Sequence, residues 1–228
     1  MKISIIIPTL NEEKKIGQCL EFLCPLADDD IEIIVVDSKE TSDNTRRIVQ
    51  SYKMTLLESP VSSRAFQMNL GAKHSKGEVL CFLHADVIPP KDFIEDIKKK
   101  IQSFDYGWFS YRFDRSSCLL SINAFFTRYN GLFAGGGDQI QFLKRAVFTE
   151  LKGFDEAYVL MEDFDLTRRL KQSQFKGCII KNDAIVSTRK YENNSYLKVN
   201  LINLYVFILF LRGVAPNRLR EIYSRYLK

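Results

Sequence analysis

The sequence predicts an α/β protein, a single domain with a mixed, mainly parallel sheet and a helical C-terminal extension. Three observations lead there. Two short runs, ISIII at 3–7 and IEIIVV at 31–36, are rich in β-branched residues, as strands buried on both faces are. Segments of helical spacing separate these and later strand-like runs, the alternation that builds a parallel sheet. No Pro-, Gly- or Ser-rich linker divides the 228 residues, a length that can bury a sizeable core.

Taken in order, Ile3–Ile7 is the first strand, and Pro8 ends its pairing because proline has no N–H for the ladder. Asn11–Leu23 then has amphipathic helical spacing. Ile31–Val36 is the second strand, Thr45–Tyr52 a helix, Met54–Leu57 a short strand and Ser63–His74 a helix. Val79–Leu83 is a fourth strand that runs into His84-Ala85-Asp86 and then two prolines, with a helix starting near Pro90. Farther on, Trp108–Phe113 reads as a strand, Leu119–Tyr129 as an aromatic-rich helix and Ala134–Gly137 as a loop. Gln139–Leu143 is strand-like, Arg145–Leu151 and Asp163–Gln172 are helical, and Ala184–Ser187 is a last strand.

Apolar residues at 46% and charged ones at 27% are ordinary for a globular protein, and the net charge of +5 suits a solvated surface, anionic ligands or an anionic membrane surface. No basic–aromatic array of the kind that binds nucleic acid occurs. Five scattered cysteines form no paired zinc motif and read as small core residues in a reducing compartment. The N-terminal apolar run meets Pro8 too early for a secretion signal, so a cytoplasmic setting is expected. Leu201–Leu211 is apolar but shorter than the roughly 20 residues a membrane span needs. It reads as a core helix or as one lying on the inner face of a membrane. Phe125, Phe126, Tyr129, Leu132 and Phe133 form an aromatic cluster with three readings: core, homodimer surface or lipid groove.

In open α/β sheets ligands bind beyond the carboxyl ends of the strands. Three predicted strands reach that edge with chemistry-bearing residues: Pro8-Thr9-Leu10-Asn11-Glu12, Val36-Asp37-Ser38 and His84-Ala85-Asp86. Asp37 can accept a hydrogen bond from a nucleobase or ribose, or cap a turn. Asp86 suits a hard divalent cation, which commonly takes one or two carboxylates plus phosphate oxygens, or it caps the next helix. Gly135-Gly136-Gly137-Asp138 allows close backbone approach to a diphosphate, or is a plain flexible loop. Glu162-Asp163 opens a helix, so the pair is either an N-terminal cap or contains a general base.

In this order, SIIIPTLNEE (4–13), EIIVVD (32–37), SRAFQMNLGAKHSKGEVLCFLHAD (63–86), GDQIQFLKRAVFTELKGFDE (137–156) and LMEDFDLTRRL (160–170) resemble the family 2 inverting glycosyltransferases of the GT-A (nucleotide-diphospho-sugar transferase, Rossmann-like) fold. The resemblance is closest to a small bacterial-type subgroup with RAxQMNxGA, FLHAD and ED motifs. It implies a non-processive transfer from a UDP- or GDP-sugar to an acceptor hydroxyl. Residues 1–190 would be the GT-A domain, with a nucleotide-binding half at 1–88 and an acceptor half at 89–190, and 191–228 the extension.

By the same resemblance Pro8, Leu10, Asn11 and Glu12 line the nucleotide pocket and Asp37 contacts the base. Arg64 lies near the base and phosphates, with Gln67 and Asn69 facing the site. Asp86 binds Mg2+ or Mn2+, Asp163 is the catalytic base, Glu162 orients the acceptor, and Arg189 and Lys190 close over the diphosphate.

The sequence departs from the family pattern in three places. His84 stands where the first acid of a DxD metal motif is usual, no late histidine follows, and the loop SKETSDNT after Asp37 lacks glycines. Two other readings compete: a sugar nucleotidyltransferase, disfavoured because LNEEKKIG replaces a Gly-rich basic loop, and a catalytically weak nucleotide- or carbohydrate-binding protein.

Overall fold

The computed structural model describes residues 1–131, 133–192 and 194–227, so Leu132 of the aromatic cluster lies outside the described residues. The first half contains β1 (Ile3–Thr9), α1 (Ile16–Leu23), β2 (Ile31–Ser38), α2 (Thr45–Ser51), β3 (Thr55–Ser59), α3 (Arg64–His74) and β4 (Val79–Phe82). The second half contains β5 (Val87–Ile88), α4 (Phe93–Lys100), β6 (Tyr106–Phe113), α5 (Cys118–Phe126), β7 (Gln141–Lys144), α6 (Arg145–Glu150), α7 (Glu162–Gln172), β8 (Gly177–Val186), α8 (Tyr196–Leu211) and α9 (Pro216–Tyr226).

The eight strands among the described residues join one sheet in the order β3-β2-β1-β4-β7-β6-β8-β5. The first four are mutually parallel, β7 runs antiparallel to both β4 and β6, β6 and β8 are parallel, and β5 is antiparallel to β8. The expected mixed, mainly parallel sheet is therefore present. Every residue of β1 is buried. Ile3, Ile5 and Ile7 join the layer under α1 and α4 with Leu20, Phe93 and Phe109, whereas Ile6 faces Met68 of α3 and Leu166 of α7. That period-two split of a two-sided strand explains why its sequence carries so little polar character.

Three local expectations change. The helix read from Asn11 begins at Ile16, because Asn11 adopts φ 55 and Glu12 and Glu13 are tied across to α2: the Glu12 amide donates to Thr45 Oγ1 (2.8 Å) and that of Glu13 to Asp43 Oδ2 (3.0 Å). The last strand is longer than Ala184–Ser187, running from Gly177 in parallel beside β6. The two residues after Asp86 form a strand of their own, β5, at the sheet edge. The extension is a helical pair, α8 and α9, whose buried Val206, Phe207, Phe210 and Leu219 pack with Phe164 of α7. Among the described residues no helix is long and apolar enough to cross a membrane.

Buried Gln67 ties α3 to the carboxyl edge of the sheet. Its amide donates to the carbonyls of Thr9 and Val36, at 2.7 Å each, bracing the ends of β1 and β2. Losing buried hydrogen bonds of this kind costs about 1–3 kcal/mol. Gln67→Leu is therefore expected to lower the unfolding free energy by that amount, read as a lower urea midpoint with an unchanged slope. An unaltered midpoint would show that the bracing does not contribute.

Candidate active site at the carboxyl edge of the sheet

The turn after β4 begins the site. The Val87 amide donates to the His84 carbonyl (3.1 Å), and β5 then pairs with Ile185–Val186 of β8. The Ser187 amide donates to the Asp86 carbonyl (3.3 Å), which puts the chain after β8 beside Asp86. Arg189 follows directly. Its terminal nitrogens grip both carboxylate oxygens of Glu12 at 2.6 Å, and its Nε lies 3.2 Å from Asp86 Oδ2. A fork on one carboxylate is the strong geometry for arginine. Residues 12, 86 and 189 thus converge from three parts of the chain.

The next layer contains the ED pair. Met161 takes a left-handed conformation, φ 70, unusual for a side chain without a polar reach. That turn opens α7 with Glu162 and Asp163 in its first turn. Glu162 is fully buried, and its Oε1 lies 2.7 Å from Arg64 Nε. Neither Glu162 oxygen accepts a well-angled hydrogen bond, so this is an ion pair off the hydrogen-bonding line. His84 Nε2 lies 4.0 Å from Asp163 Oδ2. Lys190 pairs with Asp138, which follows the glycine run. The glycines there answer to packing: a Cβ on Gly135 would meet Trp108 at 2.3 Å, and one on Gly136 would meet Phe164 at 2.2 Å.

Asp163, Asp138, Lys190 and Arg64 face a cavity of about 460 Å3 whose other walls come from α5, α8 and Tyr223 of α9. A larger hollow, about 750 Å3, lies at the opposite end of β4 and β7, by Met1, Glu78 and Lys144, away from this cluster.

Burial governs the titration of the group. It drives the Asp163 carboxyl well above the ordinary range, and the neighbouring Glu162 adds to the rise. His84 is pushed down, first by burial and then by Arg64, so its imidazole is neutral. The Arg64 guanidinium is held more firmly protonated by Glu162. Burial would raise Asp138, but Lys190, with Arg64 and His84 adding to it, keeps the carboxyl below its usual range.

The remaining predicted residues occupy distinct roles. Asp37 is fully buried and accepts from Thr9 Oγ1 (2.7 Å), Thr41 Oγ1 (2.8 Å) and Arg46 Nε (2.7 Å). Pro8 is buried within β1, and Leu10 is exposed at its end. Asn11 Oδ1 accepts from the Ser42 amide (2.8 Å), closing the loop after β2 over this edge. Asn69 is engaged elsewhere: its side chain donates to the Phe154 carbonyl and to Glu156, and accepts from the Phe154 amide, all at 2.9 Å. It holds the loop before α7, whereas the resemblance had it facing the nucleotide. Gln67 likewise braces the strand ends.

Among the described residues no three His, Cys, Asp or Glu side chains form a metal cluster. The donor set nevertheless fits a hard cation that takes one or two carboxylates and completes its shell with phosphate oxygens. Glu12 and Asp86 are brought to one spot, where the Arg189 guanidinium pairs with both, so a bound cation would take its place on these oxygens.

A doubly wound sheet with such a charged carboxyl edge and a mixed second half has the GT-A architecture. The chain superposes on a mannosyltransferase from Pyrobaculum calidifontis solved with GDP-Man and Mn2+, with a TM-score of 0.74 at 17% identity, covering 98% of this chain and 68% of that one. It superposes likewise on residues 1–349 of Staphylococcus aureus TarS in complex with UDP-GlcNAc, with a TM-score of 0.67 at 18% identity, covering 99% and 71%.

The profile of glycosyl transferase family 2 matches residues 4–146, and the chain belongs to that family. In sequence it is 28% identical over 109 residues to the glycosyltransferase GlyG of Streptococcus pneumoniae, covering 45% of this chain and 36% of GlyG. It is 21% identical over 243 aligned positions to the undecaprenyl-phosphate 4-deoxy-4-formamido-L-arabinose transferase of Proteus mirabilis, covering 97% and 71%. The matched part thus spans about a third of GlyG's length, as it does in a Methanococcus voltae transferase, where it covers 32%.

Sequence reasoning missed Asp138 as a member of the charged cluster and missed Asn200, Asn203 and Tyr223 as cavity walls. The acid after a glycine run was the signal for the first. Nothing local marked the others, because only the folding back of the extension brings them to the cavity.

A carboxyl raised in the folded state makes stability fall as pH climbs from its unfolded value towards its folded one, since the native protein holds the proton longer. Asp163→Asn is therefore expected to raise the melting temperature at neutral pH. The gain should shrink as the pH is lowered to the range where an unfolded aspartate protonates. Equal melting temperatures across that window would show that the strain is absent.

Proposed function

We propose that this protein is a non-processive, inverting glycosyltransferase that moves a sugar from a UDP- or GDP-sugar to an acceptor hydroxyl. One observation carries the reading above the rest: a buried carboxyl, Asp163, faces the same cavity of about 460 Å3 as the cations Arg64 and Lys190, so a base and cations able to meet a diphosphate share one chamber. The acceptor oxygen attacks the anomeric carbon while Asp163 removes its proton. A base held near the working pH is the efficient one, and burial is what moves a carboxyl into that range. The bond from that carbon to the diphosphate breaks, and the electron pair leaves with the nucleoside diphosphate.

The leaving group gains negative charge, and Arg189, Lys190 and Arg64 are the cations able to offset it. Asp86, with Glu12 beside it, would hold Mg2+ or Mn2+, which would neutralise diphosphate charge when bound. Asp37 and the strand end Pro8–Asn11 form the nucleoside side, with 1–88 as the donor half and 89–190 as the acceptor half. Glu162 positions Arg64. The relatives' own substrates differ from one another, including GDP-Man for the mannosyltransferase and UDP-GlcNAc for TarS, so this chain's base and sugar are matters for direct screening.

Asp163→Asn should lower kcat by about 100- to 10,000-fold, the usual contribution of a positioned base, while donor binding stays intact. Turnover near that of the wild type would remove the role from Asp163. Thermal denaturation with UDP or GDP, with and without Mn2+, reads the donor side. Ligand a hundredfold above its dissociation constant stabilises by about 2.7 kcal/mol. Asp86→Ala should abolish the Mn2+-dependent part of that shift. A Mn2+ increment that survives in this variant would place the metal elsewhere.

A further inference from the structure

Two apolar stripes flank the mouth of the cavity. On α5 and the turn after it, Leu119, Ile122, Phe126 and Tyr129 recur at helical spacing and are exposed. On α8 the exposed positions are Leu197, Leu201, Leu204, Tyr205, Ile208 and Leu211, again one face. Ile122 (51% exposed), Phe126 (57%) and Leu204 (44%) belong both to these stripes and to the cavity wall. Asn123 donates to Asn200 across the gap at 3.0 Å, so the helices are joined where the cavity opens. The apolar surface is thus continuous from solvent to the chamber that contains Asp163.

We propose that this face docks on a lipid bilayer and that the acceptor is a membrane lipid, whose hydroxyl-bearing head enters the cavity while its hydrocarbon stays in the bilayer. The inference rests on the glycosyl-transfer reading above and deepens it by naming the acceptor class. Helix α8 has 16 residues, a length of about 24 Å, short of the roughly 30 Å hydrocarbon core, so it lies along the interface and does not span it. It is apolar on both sides: Val206, Phe207 and Phe210 pack inward while the exposed stripe joins no apolar cluster among the described residues. Exposed apolar surface of this extent marks an interaction site.

Charge selects the occupant. Neither α5 nor α8 contains an acidic residue, Lys198 is the one charged side chain on the two helices, and Lys181 stands 5.4 Å from the Tyr129 ring. This pattern suits an anionic headgroup layer. A second copy of the chain seated there would close the mouth between Ile122 and Leu204 and shut the acceptor out. In the transfer, the lipid O–H gives its proton to Asp163 and its oxygen bonds to the anomeric carbon. The bond from that carbon to the diphosphate oxygen breaks, and the electron pair goes to the nucleoside diphosphate.

Flotation of the full chain with vesicles of phosphatidylcholine and phosphatidylglycerol tests the surface. The wild type is expected to float, and Leu201→Asp/Ile208→Asp to lose vesicle binding by about tenfold or more. The thermal shift with UDP or GDP should stay unchanged in that variant, so failure here is separable from failure of the donor site. A second measurement needs no apolar-to-acid change. A fluorophore on exposed Cys118, at the start of α5, should be quenched by brominated lipid, and one on exposed Cys24 should not. A wild type that ignores vesicles, a variant that binds them equally, or equal quenching at both cysteines overturns the proposal. So does a wild-type dimer in sedimentation that the same substitutions convert to monomer, since a second copy would then cover the face.

Discussion

The pairing of Val87–Ile88 with Ile185–Val186 is the constraint on which the rest of the site depends. Two residues of strand contribute little stability alone, yet they fix where two distant loops meet. Asp86 precedes one partner and Ser187 follows the other, so closing this ladder puts Arg189 against Asp86 and, through its fork, against Glu12 at the end of β1. The longer ladder of β8 with β6 brings the late basic segment back to the carboxyl edge, and this short one sets it against Asp86. Lys190 is carried along and reaches Asp138 in the loop before β7.

That convergence creates an electrostatic problem the fold solves only in part. Glu12, Asp86, Asp138, Glu162 and Asp163 crowd together, while Arg64, Arg189 and Lys190 are the permanent cations among them. Each cation has its own carboxylate: Arg64 takes Glu162, Arg189 takes Glu12 and Asp86, and Lys190 takes Asp138. Asp163 is left with a neutral imidazole at 4.0 Å. A buried acid without a cation holds its proton. The imbalance that costs stability therefore singles out the carboxyl with the strongest hold on a proton, which in its ionised form is the best base of the group and suits the role proposed for it. The left-handed Met161 immediately before the pair sets the turn from which α7 starts.

Much of the sheet could be read from the sequence, because two-sided burial forces runs such as IEIIVV to be apolar whatever their neighbours. Asp86 was visible for a related reason: an acid and two prolines end a buried strand abruptly. Pairings between distant segments were less visible. Asn69 looked like a site residue from its motif, but only the folded chain shows its amide spent on Phe154 and Glu156. Two-residue β5 is too short to leave a periodic signal, and Asp138 has no partner until Lys190 arrives from some fifty residues away (|i−j| of 52).

The segment Leu201–Leu211 shows why a run of apolar residues is ambiguous by itself. Core packing and interfacial docking both demand leucines and aromatics, and a helix that does both has no polar face to separate them. The structure separates the two sides of one helix: Val206, Phe207 and Phe210 fasten it to α7 and α9, and Leu201, Leu204 and Ile208 are left outward, available for the docking proposed above. The inward side fixes the helix beside the cavity. On the proposed reading, the outward side can therefore vary with the acceptor's surroundings without disturbing Asp163, because the residues that fasten α8 against α7 are on its other side.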